Sequence, residues 1–345
     1  MNFYYSFVLS ILLLSIKGQV LAQISDKSIL ENIAFGSCSH QDKKQKILYS
    51  VIEQSPDIFV YLGDNIYGDS RYINVIKEKY TKLGSKKEFQ SLKNACKVLA
   101  TWDDHDYGWN DAGRHYSLKT ESREAFLNFW EEPKSSERWS HKGIYHSEIY
   151  GPIGKRVQII LLDTRTFRDN LIWENNSGPG KNAYVPNQNS DSTFLGNLQW
   201  EWLEQQFQKD AEIRIVASSN QFSHEYNGHE SWTNVPHERK KMLELIKKHK
   251  VEGLLFISGD VHYGEISKLE TEGLYPIYDI TSSGLTQRWH NTSPNKNRIG
   301  KAVRKNNFGL LQFDWGENPF IRMKILNKKG KVKSANVIML SDLTF

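Results

Sequence analysis

Four short apolar runs each stop at a glycine or an acid, and they restrict the fold of this 345-residue chain more than any other feature. They are 34–38 (AFGSC), 60–67 (VYLGDNIY), 100–106 (ATWDDHD) and 256–262 (FISGDVH). Each reads as a buried strand whose carboxyl end carries polar side chains. Sites in layered α/β proteins gather at those ends. Four strands bringing Cys, Asp, Tyr and His to one edge therefore predict a metal centre suited to hydrolytic chemistry.

The segments between these runs alternate as in an α/β fold. Strands are expected at 32–36, 57–62, 97–102, 213–218 and 253–258, and helices at 41–54, 118–130, 195–207 and 236–249. A helix at 73–94 should break near Gly84, and 144–149 with 156–162 should form a hairpin turning at Gly151-Pro152. From 264 onward the pattern is mostly strand: 264–269, 276–281, 308–315, 320–326 and 332–338. Parallel units followed by an antiparallel half predict two mixed sheets packed face to face, with helices outside. Residues 170–192, rich in Asn, Gly, Pro and Ser, are long for a loop and are expected to form a lid or substrate-facing insertion.

With 39% apolar and 25% charged residues, disorder is excluded. The net charge of +5 is spread in short lysine patches, and no basic helix is interleaved with aromatics, so a nucleic acid is not expected as a stable partner. Residues 3–16 are nearly all apolar and Val20-Leu21-Ala22 fits a small-residue cleavage site, so 1–22 is expected to be a signal peptide preceding one domain at 23–345. That predicts a secreted or periplasmic protein with no membrane span after cleavage. Only two cysteines occur, and Cys38 is expected to serve as a metal thiolate rather than pair with Cys96.

Each cluster has a chemical reading. The Asp64 carboxylate can bridge two cations, with Gly63 letting backbone pass close by, and a Tyr67 phenolate suits a ferric ion. A capping Asp64 with Tyr67 in the core is the alternative. Asp260 and His262 alternate, which puts both on one face if the strand continues. In Trp102-Asp-Asp-His-Asp106, three acids repel unless cations neutralise them. In a helix-free turn Asp104 would ligate and His105 would donate a proton to a leaving oxygen. Asn110 and Asp111 could meet a second ion or a phosphoryl oxygen. Arg165, held by Asp163, would grip phosphoryl oxygens, or else form a structural ion pair. Asn220 would complete a metal shell or cap a helix. His224, His229 and His290 read as surface or supporting histidines. Trp173, Tyr184 and Phe194 are the candidates for an apolar rim, as a lipid substrate would need.

Taken together, FGSC at 35–38, LGDNIY at 62–67, TWDDHDYG at 101–108, LDTR at 162–165, NQ at 220–221 and SGDVH at 258–262 resemble the PhoD-like, or alkaline phosphatase D, family of calcineurin-like metallophosphoesterases. The motifs run in family order over about residues 33 to 320. The resemblance implies a four-layer αββα sandwich that hydrolyses phosphate esters with Fe3+ and Ca2+. It assigns Cys38, Asp64 and Tyr67 to the ferric ion, with His262 or Asp260 completing that shell. Asp64 bridges to a neighbouring metal position for which Asp104, Asn220 and Asp260 are candidates. Asn110 matches a substrate-contacting position and His105 a general acid, with Arg165 assisting. The expected enzyme is a monomeric phosphatase or phosphodiesterase acting on a phosphate ester. A phospholipase or nuclease, or a non-catalytic binding protein on the same fold, is the alternative.

Overall fold

All five residues of the strand Ile58–Leu62 are buried, and their alternation sets the layers. Ile58, Val60 and Leu62 join a core shared with the second sheet, whereas Phe59 and Tyr61 join a core shared with outer helices. A one-residue slip would exchange the two sets. Each large apolar side chain contributes about 1.5–3 kcal/mol by burial, so the register is firmly held.

The computed structural model describes residues 25–174, 183–226 and 228–345. The expected leader at 1–22 and part of the long loop lie outside the described residues. The chain opens with β1 (Asn32–Gly36), α1 (Ile47–Ile52), β2 (Ile58–Leu62), α2 (Ile73–Gly84), α3 (Lys87–Ala95) and β3 (Lys97–Thr101). There follow α4 (Asp104–Tyr107), α5 (Lys119–Phe129), the hairpin of β4 (His146–Tyr150) and β5 (Val157–Leu161), and the short pair β6 (Ile172–Trp173) and β7 (Tyr184–Val185). Next come α6 (Gly196–Phe207), β8 (Ile213–Ser218), α7 (Pro236–Lys248) and β9 (Leu254–Ser258). The last stretch is β10 (Gly264–Thr271), β11 (Leu274–Ser282), β12 (Arg298–Val303), β13 (Asn307–Asp314), β14 (Phe320–Asn327) and β15 (Val332–Met339).

One sheet has the order β15-β14-β13-β1-β2-β3 and the other β12-β10-β11-β9-β8-β5-β4. Strands β1, β2 and β3 run parallel, as do β5, β8, β9 and β11, so their carboxyl ends point one way within each sheet. This is the expected pair of mixed sheets flanked by helices.

Two local expectations need correction, and one strand was not among those expected. The helix expected at 41–54 shrinks to Ile47–Ile52, because Gln41 is drawn into the site: its amide oxygen accepts from the Tyr67 N–H at 2.8 Å. The expected helix-free turn after Trp102 is the one-turn α4, where the Asp106 carboxylate accepts from the Asp103 N–H at 3.1 Å. Strand β12, an edge strand with Gly300 and Lys301 in its middle, has too little alternation to be read from sequence. Cys38 and Cys96 are both free, and β2 lies between β1, which Cys38 follows, and β3, which Cys96 precedes. Among the described residues no helix is long and apolar enough to cross a membrane.

Candidate metal centre

The strand ends meet because the backbone there takes conformations that few residues tolerate. Gly63 has φ 101°, and a Cβ on it would lie 2.5 Å from the Asp103 Cβ, so only glycine lets the ends of β2 and β3 approach. Cys38, Asp64, Asp260 and His262 have φ of 59°, 49°, 71° and 55°. Left-handed backbone at non-glycine residues costs about 1–3 kcal/mol each and persists where the surroundings enforce it. It also corrects the expectation for Asp260 and His262. Strand β9 ends at Ser258, so a left-handed turn, not strand alternation, orients this pair.

One half of the cluster is thiol, phenol and imidazole. Cys38 Sγ is 3.3 Å from Asp64 Oδ2 and 3.1 Å from Ser283 Oγ. The Tyr67 hydroxyl donates to Asp64 Oδ2 at 3.1 Å and lies 3.2 Å from His262 Nε2. The Tyr67 ring sits between two imidazoles, with centroids 4.8 Å from His40 and 4.3 Å from His105. Cys38, Asp64 and His262 form one group able to hold a cation. Asp260 is placed differently: its carbonyl lies 3.6 Å from Cys38 Sγ, while its carboxylate is outside that group.

The other half is built of acids around Arg165, which is fully buried. Its Nε donates to Asp103 Oδ1 at 2.6 Å and its Nη1 to Glu230 Oε1 at 2.8 Å, with Asp104 Oδ1 at 3.8 Å from Nη2. Arg168 adds a second guanidinium 3.1 Å from Glu230. Asp163 holds backbone rather than the Arg165 side chain, accepting from the N–H groups of Arg165 and Thr166 at 3.0 Å. Asp104 Oδ2 accepts from the Asp111 N–H at 2.6 Å. Asp104, Asp111 and Glu230 form a further group able to hold a cation, and Asp64, Asp104 and His105 a third. Asn110 is exposed at the rim, its amide on Asp111 at 2.8 Å. Tyr184, from the long loop, also donates to Asp111.

Electrostatics decide whether these residues suit cations. Burial and the Asp64 charge push the Cys38 thiol well above its usual range, and burial does the same for Asp64 and, with Asp64 beside it, for Tyr67. Burial would raise Asp104 too, but Arg165 and His105 hold it at about 2. Burial lowers His262 to about 4, leaving a neutral imidazole. Burial disfavours charge on His105, yet Asp64, Asp69 and Asp104 raise it to about 11; Asp69 touches its Nδ1 at 2.6 Å. Asp64 Oδ1, Asp104 Oδ1 and both amide atoms of Asn220 are buried without a hydrogen-bond partner. A buried orphan of this kind costs about 1–3 kcal/mol. Anionic donors that repel one another, beside lone pairs with nothing to bind, fit cations well.

Sequence reasoning missed Glu230, which sits in a loop with no flanking pattern to mark it. It also assigned Phe194 to a rim, whereas Phe194 is fully buried against Trp232. Trp173 is 59% exposed and stacks edge-on to Tyr184. His290 is exposed, His229 faces Trp289, and His224 is buried, so it is not a surface histidine.

Two stacked mixed sheets flanked by helices are also the fold of solved phosphatases. The chain belongs to the PhoD-like phosphatase family, whose model matches residues 33–332. It is 23% identical over 293 residues to alkaline phosphatase D of Bacillus subtilis (strain 168), a match covering 73% of this chain. That match takes in 48% of the relative, so the chain spans about half its length. The solved structure of PhoD superposes with a TM-score of 0.70 at 17% identity, over 91% of this chain and 69% of that one. A dimetal phosphatase from Danio rerio gives 0.55 at 12% identity, over 91% and 100%. GAP50, the anchor in the inner membrane complex of Plasmodium, gives 0.59 at 15% identity, over 90% and 89%.

Proposed function

We propose that this chain is an exported, metal-dependent phosphoesterase that hydrolyses phosphate mono- or diesters. The observation that carries the reading is the convergence of Cys38, Asp64, Tyr67 and His262 beside the orphaned oxygens of Asp64, Asp104 and Asn220. The thiol and phenol half suits Fe3+, with Cys38, Asp64, Tyr67 and His262 as ligands. The oxygen-rich half suits Ca2+, held by Asp64, Asp104 and Asn220, with the Asp260 carboxylate and the Asp111–Glu230 pair nearby. Bound cations would supply Lewis acidity, an acidified water and screening of developing negative charge.

The protein's own groups supply the rest. His105, held by Asp69 at the rim, donates a proton to the leaving oxygen. Cations on Asp64 and Asp104 would remove much of the field that raises it, which brings it down toward a working range. Asn110, exposed beside Asp111, offers an amide N–H to a phosphoryl oxygen. Arg165 has both faces of its fork on Asp103 and Glu230, so its part is to fix these acids and set the local field rather than to grip substrate. The apolar leader at 1–22 supports export.

The test is metal analysis of protein purified without added ions, followed by turnover of a chromogenic monoester and diester. Iron near one equivalent with calcium-dependent turnover is the expected result. Zinc alone, or no turnover of either ester, would refute it.

A further inference from the structure

A second charged site lies away from the metal centre. Arg239, on α7, has Nε and Nη2 buried without a hydrogen-bond partner. The one acid acting on it among the described residues is Asp279. That carboxylate is already engaged: Oδ2 accepts from the N–H groups of Phe222 at 2.7 Å and Ser223 at 3.2 Å, and Oδ1 from Ser258 Oγ at 2.7 Å. The Phe222 ring, 5.6 Å from the guanidinium carbon, offers only partial compensation. Burying an unpaired cation is costly, and most proteins avoid it.

Arg239 borders a cavity of about 580 Å³ that also meets Lys268, Lys296 and Arg298 on the cationic side, and Glu225 and Glu270 on the anionic side. Glu270 is taken by Lys268 at 2.5 Å, and Arg298 by Glu265. Glu225 accepts from the Lys296 backbone N–H at 2.6 Å. Arg239 and the Lys296 ammonium are left without an ion pair among the described residues. Tyr226, Leu269 and Ile299 supply apolar wall. None of the metal-centre donors lines this cavity.

We infer that this cavity is a second anion site, holding the oxyanion of a phosphorylated small molecule between Arg239 and Lys296. A guanidinium and an ammonium bordering one cavity match a tetrahedral oxyanion through charge-assisted N–H bonds, and Arg239 keeps part of its surface open. The oxyanion has two conceivable sources: a second phosphate of an extended ester whose first phosphate is at the metal centre, or free phosphate. Two nearby positions in the chain touch the two sites: Tyr226 lines the cavity and donates to the Tyr184 carbonyl at 2.7 Å, while Glu230 holds Arg165.

Crystals of the metal-loaded full chain soaked in sodium tungstate give the direct test. Anomalous density is expected within bonding distance of Arg239, lost in Arg239→Gln and weakened in the exposed Lys296→Ala. No density there, or density unchanged in both variants, overturns the inference. Absence of tungstate at the metal centre instead counts against the proposed function and leaves this site standing. Kinetics separate the sources. If the oxyanion belongs to the substrate, Arg239→Gln raises KM about tenfold for an ester with two phosphates, the size of one charge-assisted contact, and leaves a single-phosphate ester unchanged. If it is free phosphate, added phosphate produces a non-competitive effect on turnover of both esters in the unmodified protein, and Arg239→Gln abolishes that part while competitive product inhibition at the metal centre remains.

Discussion

The two ends of β3 are both charged, yet they are wired in opposite ways. At its start, Lys97 Nζ meets Glu148 Oε2 at 2.5 Å, the Tyr150 hydroxyl donates to the same carboxylate, and His146 Nε2 lies 3.3 Å from Oε1. Burial works against the Glu148 charge, but hydrogen bonds from His146, Lys97 and Tyr150 overcome it and bring the group to about 2. Beyond its last residue, Asp104 and the neighbouring Asp64 and Asn220 keep buried atoms that bind nothing in the protein. A closed set of charges stabilises the fold by itself. An open set costs stability until a ligand completes it.

The largest effect expected from breaking the open end is in Asp64→Asn, which removes the carboxylate common to two of the cation-holding groups. Turnover should fall at least about a thousandfold, the scale of lost electrostatic stabilisation at a reacting centre, and metal content should fall with it. Full activity with full metal content would sink the centre as drawn. Next in size, Arg165→Met leaves Asp103, Asp104 and Glu230 facing one another, so chemical denaturation should show a loss of about 3–5 kcal/mol. A loss below about 1 kcal/mol would mean the acids are not held by this guanidinium.

At the closed end the contribution depends on pH. The folded-state value of Glu148 is depressed, so its stabilisation is present above about 4.5 and drains away as pH falls toward about 2. The difference in unfolding free energy between the parent and Glu148→Gln should therefore be about 2 kcal/mol at pH 6 and shrink in that window. A difference that stays constant with pH would contradict the wiring. Smallest, and opposite in sign, is Asn220→Leu. Removing an orphaned amide should leave metal-free protein unchanged or about 1 kcal/mol more stable, while metal-loaded activity drops. Clear destabilisation together with retained activity would show that the amide serves the fold.

Much of this was legible because it is local. Residues 32–36, 58–62 and 213–218 are short apolar runs between turns, and the structure forms strands there with little or no change of boundary. The run at 62–67 marks a strand end by its glycine and acid alone. What sequence could not show depends on long-range charge pairing. Arg165 reads as a free fork until Asp103, 62 residues earlier, and Glu230, 65 residues later, are folded onto it. Asp106 reads as one of three acids that cations must neutralise, but its oxygens accept from the N–H groups of Asp103 and Asn65. Left-handed backbone at Asp260 and His262 likewise depends on packing, since Asp and His enter that region more readily than most residues but seldom do so.

The stacking of Tyr67 between His40 and His105 also has a consequence for motion. A tyrosine ring usually turns over about its axis fast enough to average its two edges. With an imidazole against each face, this ring can turn only when His40 or His105 gives way. Its two edges should give separate proton resonances, a clock-like sign that the phenol oxygen stays aimed along one line.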